Sequence, residues 1–198
     1  MQRKAILVVG QAGTGKTRVA KLLAARFPRT LILDPLGEYS GTVFETMKEV
    51  FEFFEAHPDL ERFTVCLRNS DESDADFFFR LAWTLQNCLV VVEEANIYMD
   101  PRKRFPSFLQ LVSRGRHRTV HLLCVSQRVP EVLISFRAQK TSLITFFQEE
   151  PSDLDHLEDW GFDPDQIRTL TPFDGRFQSA VEGQHYLRIG ESLNDIQP

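Results

Sequence analysis

A mainly parallel β-sheet flanked by helices, an α/β fold, is what this sequence predicts, and two observations carry the prediction. Six short, β-rich apolar runs recur along the chain, at residues 5–9, 30–33, 63–67, 89–92, 120–125 and 142–147. Helix-period patterns separate them, as crossovers between parallel strands require. The second observation is that Gly10, Gln11, Ala12, Gly13, Thr14, Gly15, Lys16 and Thr17 spell GxxxxGKT directly after the first run. A glycine-rich loop between strand and helix curls its backbone so that successive N–H groups, and the amino end of the next helix, face the phosphates of a nucleoside triphosphate.

The first run is the strand that feeds this loop, and the helix after it is read over residues 18–27. Between the second and third runs, Val43, Phe44, Met47, Val50, Phe51 and Phe54 recur at i, i+3/4, i+7, the stripe of an amphipathic helix. Phe77, Phe78, Leu81, Ala82 and Leu85 repeat the pattern after the third run, with Ser73 as the expected N-cap. Helical spacing assigns both aromatic stripes to the core rather than to a base-stacking surface. Further on, Ser152 is placed to cap one helix, and Asp163-Pro164-Asp165-Gln166 supplies the cap, first-turn proline and third-position glutamine of another. Two short strands, 177–181 and 185–189, close the pattern. No repeat or Gly/Ser-rich linker divides it, so residues 1–190 are read as a single domain and residues 191–198 as a loosely held tail.

Composition bounds the function. A chain of 198 residues that is 42% hydrophobic and 26% charged can build one sizeable core, whereas two domains would be crowded. No apolar stretch approaches the roughly 18 residues that span a bilayer, and Met1-Gln2-Arg3-Lys4 runs into the first strand without a cleavable signal. The expectation is a soluble, cytoplasmic protein with no integral membrane segment. Cys66, Cys88 and Cys124 lack metal-ligand spacing and each falls in a predicted strand, so they are expected to be buried thiols in a reducing compartment. A formal charge of -5 excludes a wholly basic nucleic-acid-binding surface, yet Arg102, Lys103, Arg104, Arg114, Arg116 and Arg118 crowd one short segment. Either a local polyanion contact or a solvated basic face accounts for that crowding.

The chemistry-bearing residues sit at the ends of the apolar runs. Gly10 to Thr17, with Arg18 at the head of the following helix, are the expected nucleotide-binding residues; Lys16 adds a cation at the β- and γ-phosphates, and the Thr17 hydroxyl is offered to Mg²⁺. Leu89-Val90-Val91-Val92 ends in Glu93-Glu94. Phosphoryl transfer to water needs one carboxylate in the metal shell and another to align or deprotonate the attacking water. Glu93 is assigned to the metal, through water, and Glu94 to the nucleophile. The next run ends in Ser126-Gln127-Arg128, and a neutral glutamine at a carboxyl edge suits a sensor that bonds both γ-phosphate and water.

These motifs together define a P-loop NTPase and resemble one branch of it. Arg116-His117-Arg118 through Ser126-Gln127-Arg128-Val129-Pro130 is similar to the "R..G..L...TQRP" segment of the HerA/FtsK superfamily of DNA-pumping ATPases. Asp34-Pro35-Leu36-Gly37-Glu38-Tyr39 resembles their "DP.GEY", and Val90-Val91-Val92-Glu93-Glu94-Ala95-Asn96 their "vvvDEAH". The likeness covers about three quarters of the chain, in order. It implies a RecA/FtsK-like sheet, a homohexameric ring with ATP sites between subunits, double-stranded DNA in the central channel, and an arginine reaching into the neighbour's site. Arg116 falls at that arginine's position relative to Gln127, with Arg114 in reserve. Glu93 stands one methylene longer than the usual aspartate, and Asn96 stands where histidine is common. Asp34 and Glu38 either approach the phosphates or merely form a turn after the second strand.

A minimal core of this kind most resembles the genome-packaging ATPases of tailless, membrane-containing icosahedral viruses and related phages. The resemblance therefore implies an ATP- and Mg²⁺-dependent DNA translocase of viral or prophage origin, acting in the host cytoplasm or on the virion, with a procapsid vertex as a further partner. Arg102, Lys103 and Arg104, in a proline-bounded segment after the Glu93-Glu94 strand, are the candidate grip on DNA phosphates, which would hold the backbone without reading sequence. The alternatives are a small-molecule or nucleotide kinase and another HerA-like DNA-processing ATPase.

Overall fold

The computed structural model describes residues 3–68, 71–99, 105–179 and 183–188. Strands β1 (Ala5–Val9), β2 (Arg29–Leu33), β3 (Thr42–Phe44), β4 (Phe63–Leu67), β5 (Cys88–Val92), β6 (Val120–Ser126), β7 (Ser142–Thr145), β8 (Asp174–Ser179) and β9 (Gly183–Arg188) form one sheet in the order β3-β4-β2-β5-β6-β1-β7-β8-β9. Every pairing from β3 to β7 is parallel, and β8 and β9 add antiparallel strands at one edge. Helices α1 (Lys16–Ala24), α2 (Met47–Ala56), α3 (Glu72–Leu85), α4 (Asn96–Met99), α5 (Pro106–Arg114), α6 (Ile134–Gln139), α7 (Pro151–Asp159) and α8 (Pro164–Arg168), with a 3-10 turn at Gly115–Arg118, complete the described elements.

Alternation along the parallel strands sends side chains into two cores. Ile6, Val8, Ile32, Leu89, Val91, Leu123 and Val125 pack with Val19, Ala20 and Leu23 of α1 on one face. Leu7, Val9, Leu31, Leu33, Val90, Val92 and Leu122 pack on the other with residues of α2, α3, α5, α6 and α7. Strands covered on both faces read as unbroken apolar runs, which is why the sequence displays them so plainly. The three cysteines lie on β4, β5 and β6 as buried free thiols; burial pushes them up, to about 11 at Cys66 and about 12 at Cys88.

Several local expectations are corrected. Val43 and Phe44 do not begin a helix: they lie on edge strand β3, paired in parallel with Cys66 and Leu67 of β4. The helix starts only after Thr46, whose hydroxyl accepts from the Glu49 N–H while Glu49 reaches back to the Thr46 N–H. That Thr-x-x-Glu capping box fixes the boundary against a coincidental apolar spacing. Phe51 and Phe77 are 42% and 40% exposed, so neither joins the core; the Arg80 guanidinium covers the Phe77 ring at 4.5 Å. Asp71, not Ser73, caps α3 by accepting from the Ser73 and Asp74 N–H groups. Glu150 occupies the cap position of α7, and Ser152 instead accepts a guanidinium proton from Arg128. Asp163 caps α8 as expected. The tail at 191–198 lies outside the described residues.

His121 on β6 is 1% exposed, and its Nδ1 accepts the Lys4 N–H at 2.9 Å, which requires the neutral ring. Burial, reinforced by the Arg3 and Lys4 charges, holds its pKa down at about 4. The unfolded chain takes up this proton near pH 6.5 and the folded chain only near 4, so the native state loses stability as pH falls through that window. Urea titrations from pH 7 to pH 4 are expected to show a loss on the order of 3 kcal/mol from this group, and His121→Gln should remove that component.

Candidate active site

Strand order assembles the site. β6 lies between β5 and β1 and is parallel to both, so the segments leaving all three carboxyl ends emerge side by side, with neighbouring strands about 4.8 Å apart. The GxxxxGKT loop leaves β1, Glu93-Glu94 leaves β5 and Gln127 leaves β6. Residues 110 positions apart thus meet at one edge.

The loop is shaped by contacts that only glycine allows. A Cβ on Gly10 would lie 2.7 Å from Phe146 Cβ and 2.9 Å from Thr14 Oγ1. Gly15 adopts φ 109° at the cap position of α1, where it has no side chain to cover the helix end. The first-turn N–H groups of α1 therefore remain directed at the loop, as an anion site needs. The Gln11 N–H is anchored on Phe147 O at 3.1 Å, and the Thr14 hydroxyl and Lys16 Nζ both donate to Gln11 O at 2.8 Å. Gln11 Nε2 also reaches Glu149, while Ala12, Gly13 and Arg18 are exposed.

Lys16 is buried, and burial lowers its pKa, opposed by the carboxylates of Glu94, Glu93 and Glu38. Lys16, Thr17, Glu93, Glu94 and Gln127 form one cluster. Glu93 is 4% exposed; one carboxylate oxygen accepts the Tyr39 hydroxyl at 2.6 Å, and Thr17 donates to the same carboxylate. Burial raises the Glu93 pKa, and these two bonds oppose the rise. Glu94, at φ 46° just past the strand, keeps its carboxylate partly exposed and accepts the Gln127 carboxamide at 3.0 Å. A carboxylate beside a hydroxyl at the foot of a phosphate loop suits Mg²⁺, which takes one or two protein oxygens and completes its shell with phosphate and water. Thr17 and Glu93 are the residues that could hold it. No cluster of three or more acidic, histidine or cysteine side chains capable of caging a metal occurs among the described residues.

Tyr39, Asp153, Gln148 and Phe173 belong to the site's surroundings and were not singled out by sequence as site residues. Asp34 is fully buried and accepts the Glu38 and Tyr39 N–H groups at 2.9 Å each. It is therefore the turn residue after β2, and that turn aims Tyr39 at Glu93. Gln127 is steadied by Gln148, whose Nε2 donates to Gln127 O at 3.0 Å. Fully buried Asp153 holds the next two residues, accepting Arg128 Nε and the Val129 N–H at 2.6 Å each. The pairing of Asp34 with Tyr39 is the one of these with a local sequence signal, an Asp followed by a Gly-containing turn.

Arg116 is exposed in a single 3-10 turn, Gly115–Arg118, that precedes β6. It stands at the amino edge of the sheet, the full seven-residue length of β6 from Gln127, roughly 20 Å along a strand. Neither Arg116 nor Arg114 at the end of α5 is brought to the site of its own chain. Arg102, Lys103 and Arg104 lie outside the described residues.

The fold recurs in solved structures. The genome packaging NTPase B204 of Sulfolobus turreted icosahedral virus 2 superimposes with a TM-score of 0.75 at 16% identity, over 95% of this chain and 97% of that one. This chain shares the α/β fold of that NTPase. B204 of Sulfolobus turreted icosahedral virus, described as a DNA-packaging ATPase, gives 0.70 at 18% identity, over 95% and 98% of the two chains. VirB4 of Thermoanaerobacter pseudethanolicus gives 0.67 at 14%, over 98% and 91%. No protein-family model and no curated protein matches the chain. No helix among the described residues is long and apolar enough to cross a membrane.

Tyr39→Phe removes the donor to a buried carboxylate without changing ring volume. Urea denaturation at pH 7.5 is expected to show a loss of about 1.5–3 kcal/mol with an unchanged m-value; an unaltered midpoint would mean that the hydroxyl does not hold Glu93.

Proposed function

We propose that the chain is an ATP-driven translocase of double-stranded DNA, a viral or prophage genome-packaging ATPase that hydrolyses ATP at sites shared between subunits of a homohexamer. The observation that carries this reading is the bond from Gln127 Nε2 to Glu94 Oε1 at 3.0 Å, beside Lys16 and Glu93. Two neighbouring strand ends there place a neutral amide against a partly exposed carboxylate next to a phosphate loop. That arrangement suits transfer of a phosphoryl group to water rather than to an organic acceptor.

In this reading the loop N–H groups and Lys16 bind the β- and γ-phosphates. Thr17 and Glu93 would hold Mg²⁺, which when bound would offset the negative charge of the phosphates. Tyr39 fixes one oxygen of Glu93, which suits the longer side chain to a task usually given to aspartate. Glu94 orients the attacking water and takes its proton. Gln127 changes partner when γ-phosphate is present, so Glu94 is released for that task.

Arg116 acts on a neighbouring subunit. A ring with shared sites uses an arginine remote from its own chain's site, and such arginines supply roughly 10³ to 10⁵ in rate. Arg102, Lys103 and Arg104 grip DNA phosphates. The protein works in the host cytoplasm or at a procapsid vertex, and its likeness in fold to the two B204 packaging proteins supports this reading.

Phosphate release is expected to rise on adding long duplex DNA, to depend cooperatively on protein concentration, and to fall by two or more orders of magnitude in Glu94→Gln. Turnover that is independent of concentration and needs a monophosphate acceptor would replace this reading with a kinase. The triple change R102A/K103A/R104A should abolish DNA stimulation while leaving basal turnover unchanged; undiminished stimulation would remove these residues from the DNA contact.

A further inference from the structure

The turn Thr171-Pro172-Phe173-Asp174 carries a conformational cost that the fold does not explain. Asp174 N–H bonds Thr171 O at 3.0 Å, proline holds the second position, and Phe173 at the third has φ 72°. This is the form of a type II turn, whose third position goes to glycine or asparagine because a side chain there is strained. Phe173 is a bulky aromatic in that place.

Neither the core nor the backbone requires the ring. Phe173 is 41% exposed, so burial offsets little of the strain. Its N–H does a structural task, donating to Thr14 O of the phosphate loop at 2.9 Å, but glycine would donate the same bond at no conformational cost. What remains unexplained is the aromatic side chain itself.

Its position gives it a use. The bond to Thr14 sets the turn against the GxxxxGKT loop. Arg18, the residue after Thr17, lays its guanidinium over the ring at 5.4 Å from the centroid, a contact of cation–π type that fixes the ring plane. A strained, half-exposed aromatic is thereby held beside the phosphate cradle, with one face backed by a cation.

We propose that Phe173, backed by Arg18, is the stacking platform for the nucleobase of the bound triphosphate, preferring purines for their larger face. This rests on the phosphate loop binding a nucleotide and assigns the part of the ligand that the loop does not touch. Stacking on an aromatic accepts any base, because every base has a π-face, and it contributes about tenfold or more in affinity. The platform therefore accepts any base, holding purines more tightly than pyrimidines and distinguishing ATP from GTP weakly.

The test uses titration calorimetry with Mg²⁺ and two probes, ATPγS and inorganic triphosphate, on the native chain and on Phe173→Gly, Phe173→Tyr and Lys16→Ala. Phe173→Gly is expected to weaken ATPγS about tenfold, to leave inorganic triphosphate within twofold, and to melt no lower than the native chain because glycine fits the turn. Phe173→Tyr should retain native affinity for both probes. Unchanged ATPγS affinity in Phe173→Gly, or equal loss of both probes, overturns the platform. Lys16→Ala tests the underlying reading separately: if it leaves both probes bound as before, the phosphate loop is not the triphosphate site, whatever Phe173 does.

Discussion

Because β6 pairs in parallel with both β5 and β1, the backbone hydrogen bonds of three strands decide where every reactive side chain stands. The register is set by apolar alternation on both faces, and a slip of one residue would exchange the two cores and turn each strand over. The phosphate loop, the two carboxylates and the glutamine are distant along the chain and have no direct reason to meet. Each follows the last residue or two of a strand whose position is already fixed, so the site inherits its geometry from the sheet.

Within that frame the costly group is Glu93. A carboxylate that is 4% exposed needs partners, and the molecule supplies them from another strand end. Asp34 folds the turn after β2 through two N–H bonds, the turn presents Tyr39, and Tyr39 bonds Glu93. Thr17 closes the arrangement from the loop side. Glu94, one residue on, is treated oppositely: positive φ lifts it out of the strand direction, and its partner Gln127 is a neutral group. Adjacent carboxylates thus receive different environments, one buried under two hydroxyls and one partly exposed with a single amide partner.

The sheet was legible because strands buried on both faces leave unbroken apolar runs, and the loop because its glycines, lysine and threonine are fixed by phosphate chemistry. Glu94 and Gln127 could be placed from their positions at strand ends, and the structure joins them directly. Edge elements were harder. Val43 and Phe44 mimic a helical stripe, and only the Thr46–Glu49 capping box distinguishes strand β3 from helix α2. Asp153 was hidden because its task depends on which loop packs over it: an acidic residue in an acidic segment gives no sign that it will be buried under Arg128 and Val129. Phe173 was hidden for a different reason, since the sign of its φ is a property of the folded turn. Arg116 was assigned only by the family resemblance, and its place at the amino edge of the sheet sets it away from its own chain's loop.

The three buried cysteines bear on how the molecule answers chemical attack. A thiol reagent reacts with thiolate, and these sulfurs are enclosed on central strands with their ionisation pushed up by burial. Modification then requires the sheet to open rather than a side chain to swing. The rate at which an alkylating agent consumes them measures sheet opening, and a molecule that stays unlabelled has kept β4, β5 and β6 closed.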